Sequence, residues 1–275
     1  MKRAKRTIVI LSLALAGCRG AIGPPAATPD VLSLHILTTP ATATLIQELA
    51  AEYAPRGAVV NLRSVTQNWN AIAEQLLAGQ AVYALTTYLP PTAGLWTAPI
   101  GYDALAIIVP ASLPIDTLTL DQVRRLFLGQ IASWDEVGGP DTPVTVVVQA
   151  PEADASQVFQ SQVMHGQRVT LAARLALSNA SMVELVAQTP GAIGYVSMSG
   201  LGEGIRAVPL RTKDGPAVEL TAQTVTQGEY PLRTPILVSG LSAPDPGSAF
   251  YAWFAWMQSA EGQAVISRQY GALRP

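Results

Sequence analysis

The chain has 275 residues, 49% of them hydrophobic and 13% charged, enough for two modest domains with mainly aliphatic cores. Of its 17 basic residues, Lys2, Arg3, Lys5 and Arg6 stand in the first six positions; the other 13 face 19 acidic residues, a balance that argues against nucleic acid as a partner. Cys18 is the only cysteine, so no disulfide can form within the chain and a cysteine metal site is not expected.

The basic start is followed by a short apolar run, residues 7–16, too short to span a bilayer comfortably. It ends in Leu15-Ala16-Gly17-Cys18. Small residues before a cysteine, directly after such a run, resemble a bacterial lipobox. The expectation is a lipoprotein signal peptide over 1–17, with Cys18 as the lipidated first residue of the mature chain; the plainer alternative is a secretion signal with a chance cysteine. Two or three acyl chains give stable membrane attachment where one would be marginal. Residues 18–30, with three prolines, read as a tether.

A strand is expected over 31–37, then the loop Thr38-Thr39-Pro40-Ala41-Thr42 and a helix at 43–54 whose Leu45, Leu49 and Tyr53 share a face. A strand at 58–63 leads into the polar loop 64–68 and a helix at 69–78. A short strand at 81–85 ends at Thr86-Thr87. Three successive strands thus end in hydroxyl-rich or amide-rich loops. Strands alternating with helices indicate a mainly parallel α/β sheet, with ligands at the strand ends. A long apolar strand at 100–109 follows, then a helix at 119–128 with Thr119 as N-cap and Gly129 past its end. Further helices are expected at 155–164, 180–188, 249–257 and 260–269, with extended stretches at 144–148, 189–198 and 230–239. Two long extended stretches bracketing the middle of the chain are what two lobes joined by two crossovers require. The division expected is 31–103 with 236–275 as lobe 1, and 104–235 as the inserted lobe 2.

The segments "GYDALAIIV", "LTLDQVRRLFLGQIASWDEVGGPDTPVTVV", "VAQTPGAIGYVS", "YPLRTPILV" and "SAEGQAVI" together resemble the phosphate-type solute-binding proteins of ABC transporters. The resemblance runs from about residue 31 to the end and is most specific around Trp134 and Gly139-Pro140. It implies an α/β, class II periplasmic-binding-protein fold that closes on an oxyanion. A desolvated dianion needs many donors: hydroxyls, backbone N–H groups and an arginine fork, with an Asp acceptor to select protonated phosphate.

Set against the binding loops of that family, this chain keeps some positions and loses others. The first loop holds Thr38, Thr39, Thr42 and Thr44. The second keeps Ser64 but has Arg63 in place of glycine. The third, ending at Thr86, lacks the acidic acceptor. In the fourth, Gln149 stands where arginine is usual, and Asp154-Ala155-Ser156 replaces a hydroxyl–glycine–hydroxyl run. Ser181, with Ser178 and Asn179 ahead of the "MVELV" stretch, is a further candidate. Glu152 and Asp154 add negative charge, so phosphate is expected to bind more weakly than in proteins with the full pattern, and Gln149→Arg to strengthen oxyanion binding. Each of these positions also has a plainer reading as a helix cap or solvated loop residue. Trp69 and Tyr83 read as packing residues. His35 and His165 have no partner in sequence, so neither metal nor catalysis is expected, and no nucleophile elbow is present.

The expected function is a lipid-anchored, monomeric binding protein on the extracytoplasmic face of the membrane. It needs no cofactor and delivers a small anion, phosphate or a relative, to ABC permease subunits. The rivals are a degenerate binding module acting as sensor or accessory, with another ligand or none, and a hydrolase on the same fold.

Overall fold

The computed structural model describes residues 30–53, 58–89, 94–212 and 215–273. The expected leader, its Cys18 and all but the last residue of the tether lie outside the described residues. In chain order the elements are β1 (Asp30–Thr38), α1 (Ala43–Glu52), β2 (Ala58–Thr66), α2 (Trp69–Leu77), β3 (Tyr83–Thr86), β4 (Trp96–Pro110), β5 (Leu118–Thr119), α3 (Leu120–Phe127), β6 (Thr145–Gln149), α4 (Asp154–Phe159), β7 (Arg174–Ala176) and α5 (Asn179–Gln188). They continue with β8 (Ala192–Ser197), β9 (Ile205–Ala207), β10 (Leu210–Arg211), α6 (Ala222–Gln227), β11 (Arg233–Gly240), α7 (Ala249–Met257) and α8 (Ala260–Ile266).

One curled sheet runs through the molecule in the order β2-β1-β3-β11-β4-β8-β6-β7, with β9 also on β4. β1 is parallel to β2 and β3, and β6 is parallel to β7 and β8. Between these two parallel halves lie β11 and β4, antiparallel to each other and to their outer neighbours. β5 and β10 form a separate two-stranded sheet. The mainly parallel halves follow from strands and helices alternating along the chain, because a parallel pair needs a crossover that the helices supply.

β4 explains how one sheet serves two cores. From Ala104 to Pro110 every residue is buried, so both faces are covered and the run shows no polar alternation. Ala104, Leu105, Ile107 and Val109 join a core with α3 and α4, while Ala106 and Ile108 pack towards α5. Ile100, only four residues before Ala104, belongs to another core with Leu34, Leu45 and Trp253. β11 makes the return change: Leu232, just before it, lies in the core of Ala104, and Ile236 in that of Ile100. The register of β11 against β4 shifts between Ile236 and Leu237, at the place where the cores change. Gly101 is needed there, since a Cβ would lie 2.8 Å from Ile266 Cγ2 and 3.0 Å from the Gly271 carbonyl.

The Trp134 segment is an anchored turn. Trp134 is buried, opens a short 3₁₀ turn and donates its indole N–H to the Gly191 carbonyl at 2.9 Å. Gly138 leaves the turn at φ +86°, and the Gly139 N–H returns to the Trp134 carbonyl at 2.8 Å. Gly191, at φ +69°, approaches the chain so closely that a Cβ would stand 2.2 Å from the Pro143 carbonyl. The three glycines and the tryptophan thus fix where β6 and β8 begin.

The expected elements differ from the observed ones mainly at their ends. β2 extends to Thr66, so Ser64 lies within a strand rather than in a loop. β4 begins at Trp96, because pairing with β11 holds the segment extended ahead of the apolar run. The helix expected over 155–164 is α-helical from Asp154 to Phe159, continues as a π turn over Gln160–Met164 and ends at His165 in a left-handed conformation.

Candidate functional site

The ends of β1 and β3 bring five buried threonines together, Thr38, Thr39, Thr42, Thr86 and Thr87. The hydroxyl protons of Thr38, Thr39, Thr42 and Thr87 can be assigned from the contacts, since each hydroxyl has one proton to give. Thr42 stands at the N-cap of α1 but does not cap it; its Oγ1 donates to the Leu85 carbonyl at 2.7 Å. The 2.7 Å contact between Thr38 and Thr42 is therefore a donation from Thr38. That leaves Thr39 free to donate outward, and its Oγ1 lies 2.5 Å from Asp154 Oδ2. Thr87, directly after β3, adds its hydroxyl at 3.1 Å and its N–H at 3.4 Å to the same oxygen. Thr234, on β11, donates to the Thr87 carbonyl at 3.2 Å and holds that loop.

Asp154 comes from an element of the other core. It is the first residue of α4, whose Ala155, Val158 and Phe159 belong to the core of Ala104. Thr39 and Thr87 adjoin β1 and β3, whose Leu34 and Leu85 belong to the core of Ile100. Among the described residues Asp154 Oδ1 is buried without a hydrogen bond. Burial pushes the Asp154 carboxyl above the ordinary carboxylate range, against the hydrogen bonds from Thr39 and Thr87 that favour the charged form.

A second carboxyl lies close by. Asp103, on β4 at the crossover, is buried and raised to about 6, chiefly by desolvation, with Asp154 adding a repulsive contribution. Its Oδ1 accepts from the Ala104 N–H at 2.7 Å, the Ser197 hydroxyl at 2.9 Å and the Met198 N–H at 3.3 Å. The ion pairs among the described residues are Arg124–Asp121 and Arg268–Glu52, so neither buried carboxyl is paired with a cation. Ala41, Thr87, Asp103, Ala155, Ser197 and Thr234 all border a cavity of about 10 Å³ between the two sets of elements. A larger hollow of about 520 Å³ between residues 111–116 and Arg206 lies elsewhere, and there the guanidinium is already bonded to the Leu113 and Ile115 carbonyls.

A family model described as the PBP superfamily domain matches residues 23–261. The chain belongs to this superfamily. Among solved structures, one from Clostridium perfringens, described as a phosphate ABC transporter substrate-binding protein with bound phosphate, matches at a TM-score of 0.75 and 22% identity, over 88% of this chain and 100% of that one. An ABC-type phosphate transport receptor from Vibrio cholerae matches at 0.70 and 24%, over 88% and 100%. These likenesses bear on the fold: α/β, with two lobes joined by crossover strands, as expected from the sequence. Among curated proteins, the phosphate-binding protein PstS of Bacillus subtilis is 29% identical over 46% of this chain and 41% of its own length. The PstS of Borreliella burgdorferi is 23% identical over 61% and 62%. The matched region thus spans about half the length of these curated relatives.

In this PBP-superfamily chain the candidate residues fall into three groups. Thr38, Thr39, Thr42 and Thr86 gather at the ends of β1 and β3. Only Thr39 directs its proton across the cleft; Thr86 shares a strand face with Ala84, which packs with Ile72 and Leu76 of α2, and its buried hydroxyl has no bond among the described residues. Gln149 and Ser156 form a closed ring with Tyr195. The Gln149 N–H donates to Tyr195 Oη at 3.3 Å, Tyr195 to Ser156 Oγ at 2.8 Å, and Ser156 to the Gln149 carbonyl at 3.0 Å. The Gln149 side chain turns to Asn179 Oδ1 at 2.7 Å, away from the threonines. Ser64 and Ser181 lie apart from both groups: Ser64 accepts from Gln47 Nε2 at 2.7 Å, and Ser181 completes a capping box with Ser178 at the start of α5.

Thr87 reads with Thr86 as a hydroxyl-rich strand end but not as a site residue, and Asp103, Ser197 and Thr234 are not singled out from the sequence. Asp103 carried a readable signal, as the one charge inside an apolar run, "GYDALAIIV". Ser197 and Thr234 are single hydroxyl residues near strand ends, and only the folded chain distinguishes them.

Proposed function

We propose that the protein is a lipid-anchored, extracytoplasmic solute-binding protein of an ABC importer that takes phosphate or a related small oxyanion between its lobes. Residues 31–103 with 236–275 form one lobe and 104–235 the other, a division supported by the two core sets that meet near residues 100–104 and 232–236. The observation that carries the reading is the pair Thr39 and Thr87: buried donors that converge across the cleft on one oxygen atom. Neutral hydroxyl and N–H donors hold an oxyanion without net positive charge. The PstS relatives are named as phosphate-binding proteins, which makes phosphate the first ligand to try. The work done is binding and domain closure, with no chemistry performed, and release to membrane permease subunits.

Calorimetric titration of the full chain with phosphate, arsenate and sulfate tests the reading. Phosphate is expected to bind, with weaker than submicromolar affinity because Gln149 replaces arginine and faces Asn179. Thr39→Ala with Thr87→Ala should cost roughly ten- to a hundredfold in affinity. If none of the three anions binds, the second reading replaces it. In that reading the protein is a binding module acting as sensor or accessory, which the two buried carboxyls without a cation favour.

A further inference from the structure

We propose that the Asp154 carboxylate is a built-in occupant of the threonine cradle: it holds the cleft closed, and an oxyanion must displace it to bind. The inference rests on the oxyanion reading above for its ligand, and on the hydroxyl inventory for its mechanism. Thr38 and Thr42 spend their protons on Thr42 and the Leu85 carbonyl. The donors left to face the cleft are the Thr39 hydroxyl and the Thr87 hydroxyl and N–H, and all three end on Asp154 Oδ2. An incoming oxyanion and this carboxylate therefore compete for the same protons.

Space leads to the same result. The cavity bordered by Thr87, Asp103 and Ala155 is about 10 Å³, at most the ~10–15 Å³ that a single water needs, so a tetrahedral oxyanion has no room there as the cleft stands. Charge adds to this. Asp103 on β4 repels Asp154, and among the described residues no cation is paired with either. A dianion entering beside two carboxylates meets repulsion, whereas one entering after Asp154 has swung out takes over its donors. The contact also ties the lobes: Asp154 leads α4 on one side, and Thr39 and Thr87 follow β1 and β3 on the other. Apparent affinity is reduced by the fraction of molecules in which the cradle is free.

The test compares the full chain with Asp154→Ala and Asp154→Asn, the second keeping the side-chain volume while removing the charge. Phosphate affinity is read by calorimetry, and the radius of gyration by small-angle scattering in phosphate-free buffer. Both variants are expected to bind phosphate roughly ten- to a hundredfold more tightly. Asp154→Ala is also expected to be more expanded than the parent without phosphate and to contract when it is added. Phosphate affinity equal to or below that of the parent in both variants overturns the proposal, because Asp154 would then be neutral or a ligand partner. Identical scattering of parent and Asp154→Ala without phosphate also overturns it. If neither parent nor variants bind phosphate, arsenate or sulfate, the oxyanion reading fails, and scattering alone decides the latch: expansion of Asp154→Ala upholds it, identity ends it.

Discussion

Asp103 is the residue whose chemistry reaches furthest. An acid buried at a crossover between two cores is held near 6 instead of 3.8, so the folded chain keeps a proton that the unfolded chain releases. A raised carboxyl opposes the fold when ionised. Its penalty is absent below about pH 4, grows as pH rises and is complete above about pH 6. Asp154 is shifted in the same direction, so the parent chain mixes two contributions. Asp103→Asn isolates one of them, since Asn Oδ1 can still accept from Ala104 and Ser197. The variant is expected to match the parent near pH 4 and to exceed it near neutrality by about 1–3 kcal/mol, measured by denaturant unfolding. A difference that stays constant from acid to neutral pH would remove Asp103 as its source. Asp103 could have been marked from the sequence, as a charge within an apolar strand. Its raised pKa could not, because that depends on what covers it from β8 and α4.

Among elements, the helix starts separate capping from binding. Ser178 and Ser181 exchange hydrogen bonds at the N-terminus of α5, as Thr119 and Gln122 do at α3. Both boxes satisfy N–H groups that a helix start leaves unpaired. Ser181→Ala should lower stability by about 0.5–1 kcal/mol and leave phosphate affinity unchanged. An affinity loss without a stability loss would instead put Ser181 in the site. α4 shows the limit of reading elements from pattern. Its apolar spacing announces a helix, yet its first residue is Asp154, and the ring of Gln149, Tyr195 and Ser156 fixes the loop before it. The stacking of Phe159 on Tyr195, with centroids 4.3 Å apart, anchors the other end. A loop residue and a helix residue one position apart point in different directions, and that decides whether Asp154 repels a ligand from a distance or occupies its place.

For the whole molecule, the two readings that matter are attachment and closure. The basic start, the short apolar run and Leu15-Ala16-Gly17-Cys18 lead to the expectation that Cys18 is the sole anchor. Cys18→Ser should abolish labelling by a lipid precursor and leave the protein uncleaved or released; a variant still acylated and membrane-bound would rule out the lipobox. Among the described residues no helix is long and apolar enough to cross a membrane. Closure depends on β4 and β11, the strands that pass from one core to the other. Their length and apolar character were visible in "IGYDALAIIV" and "YPLRTPILVS", and so was the bracketed middle of the chain.

The sequence by itself determined the alternation of strands and helices, the capped start of α3 and the threonine-rich loop before α1. These follow from local periodicity, capping chemistry and glycine geometry, which act within a few residues. Only the tertiary structure decided which threonine proton faces the cleft, that Gln149 turns to Asn179, and that Asp154 meets Thr39 across 115 positions of chain. A hydroxyl's single proton goes to whichever acceptor the fold brings near, and a carboxylate's partner is set by which strand ends the sheet brings together.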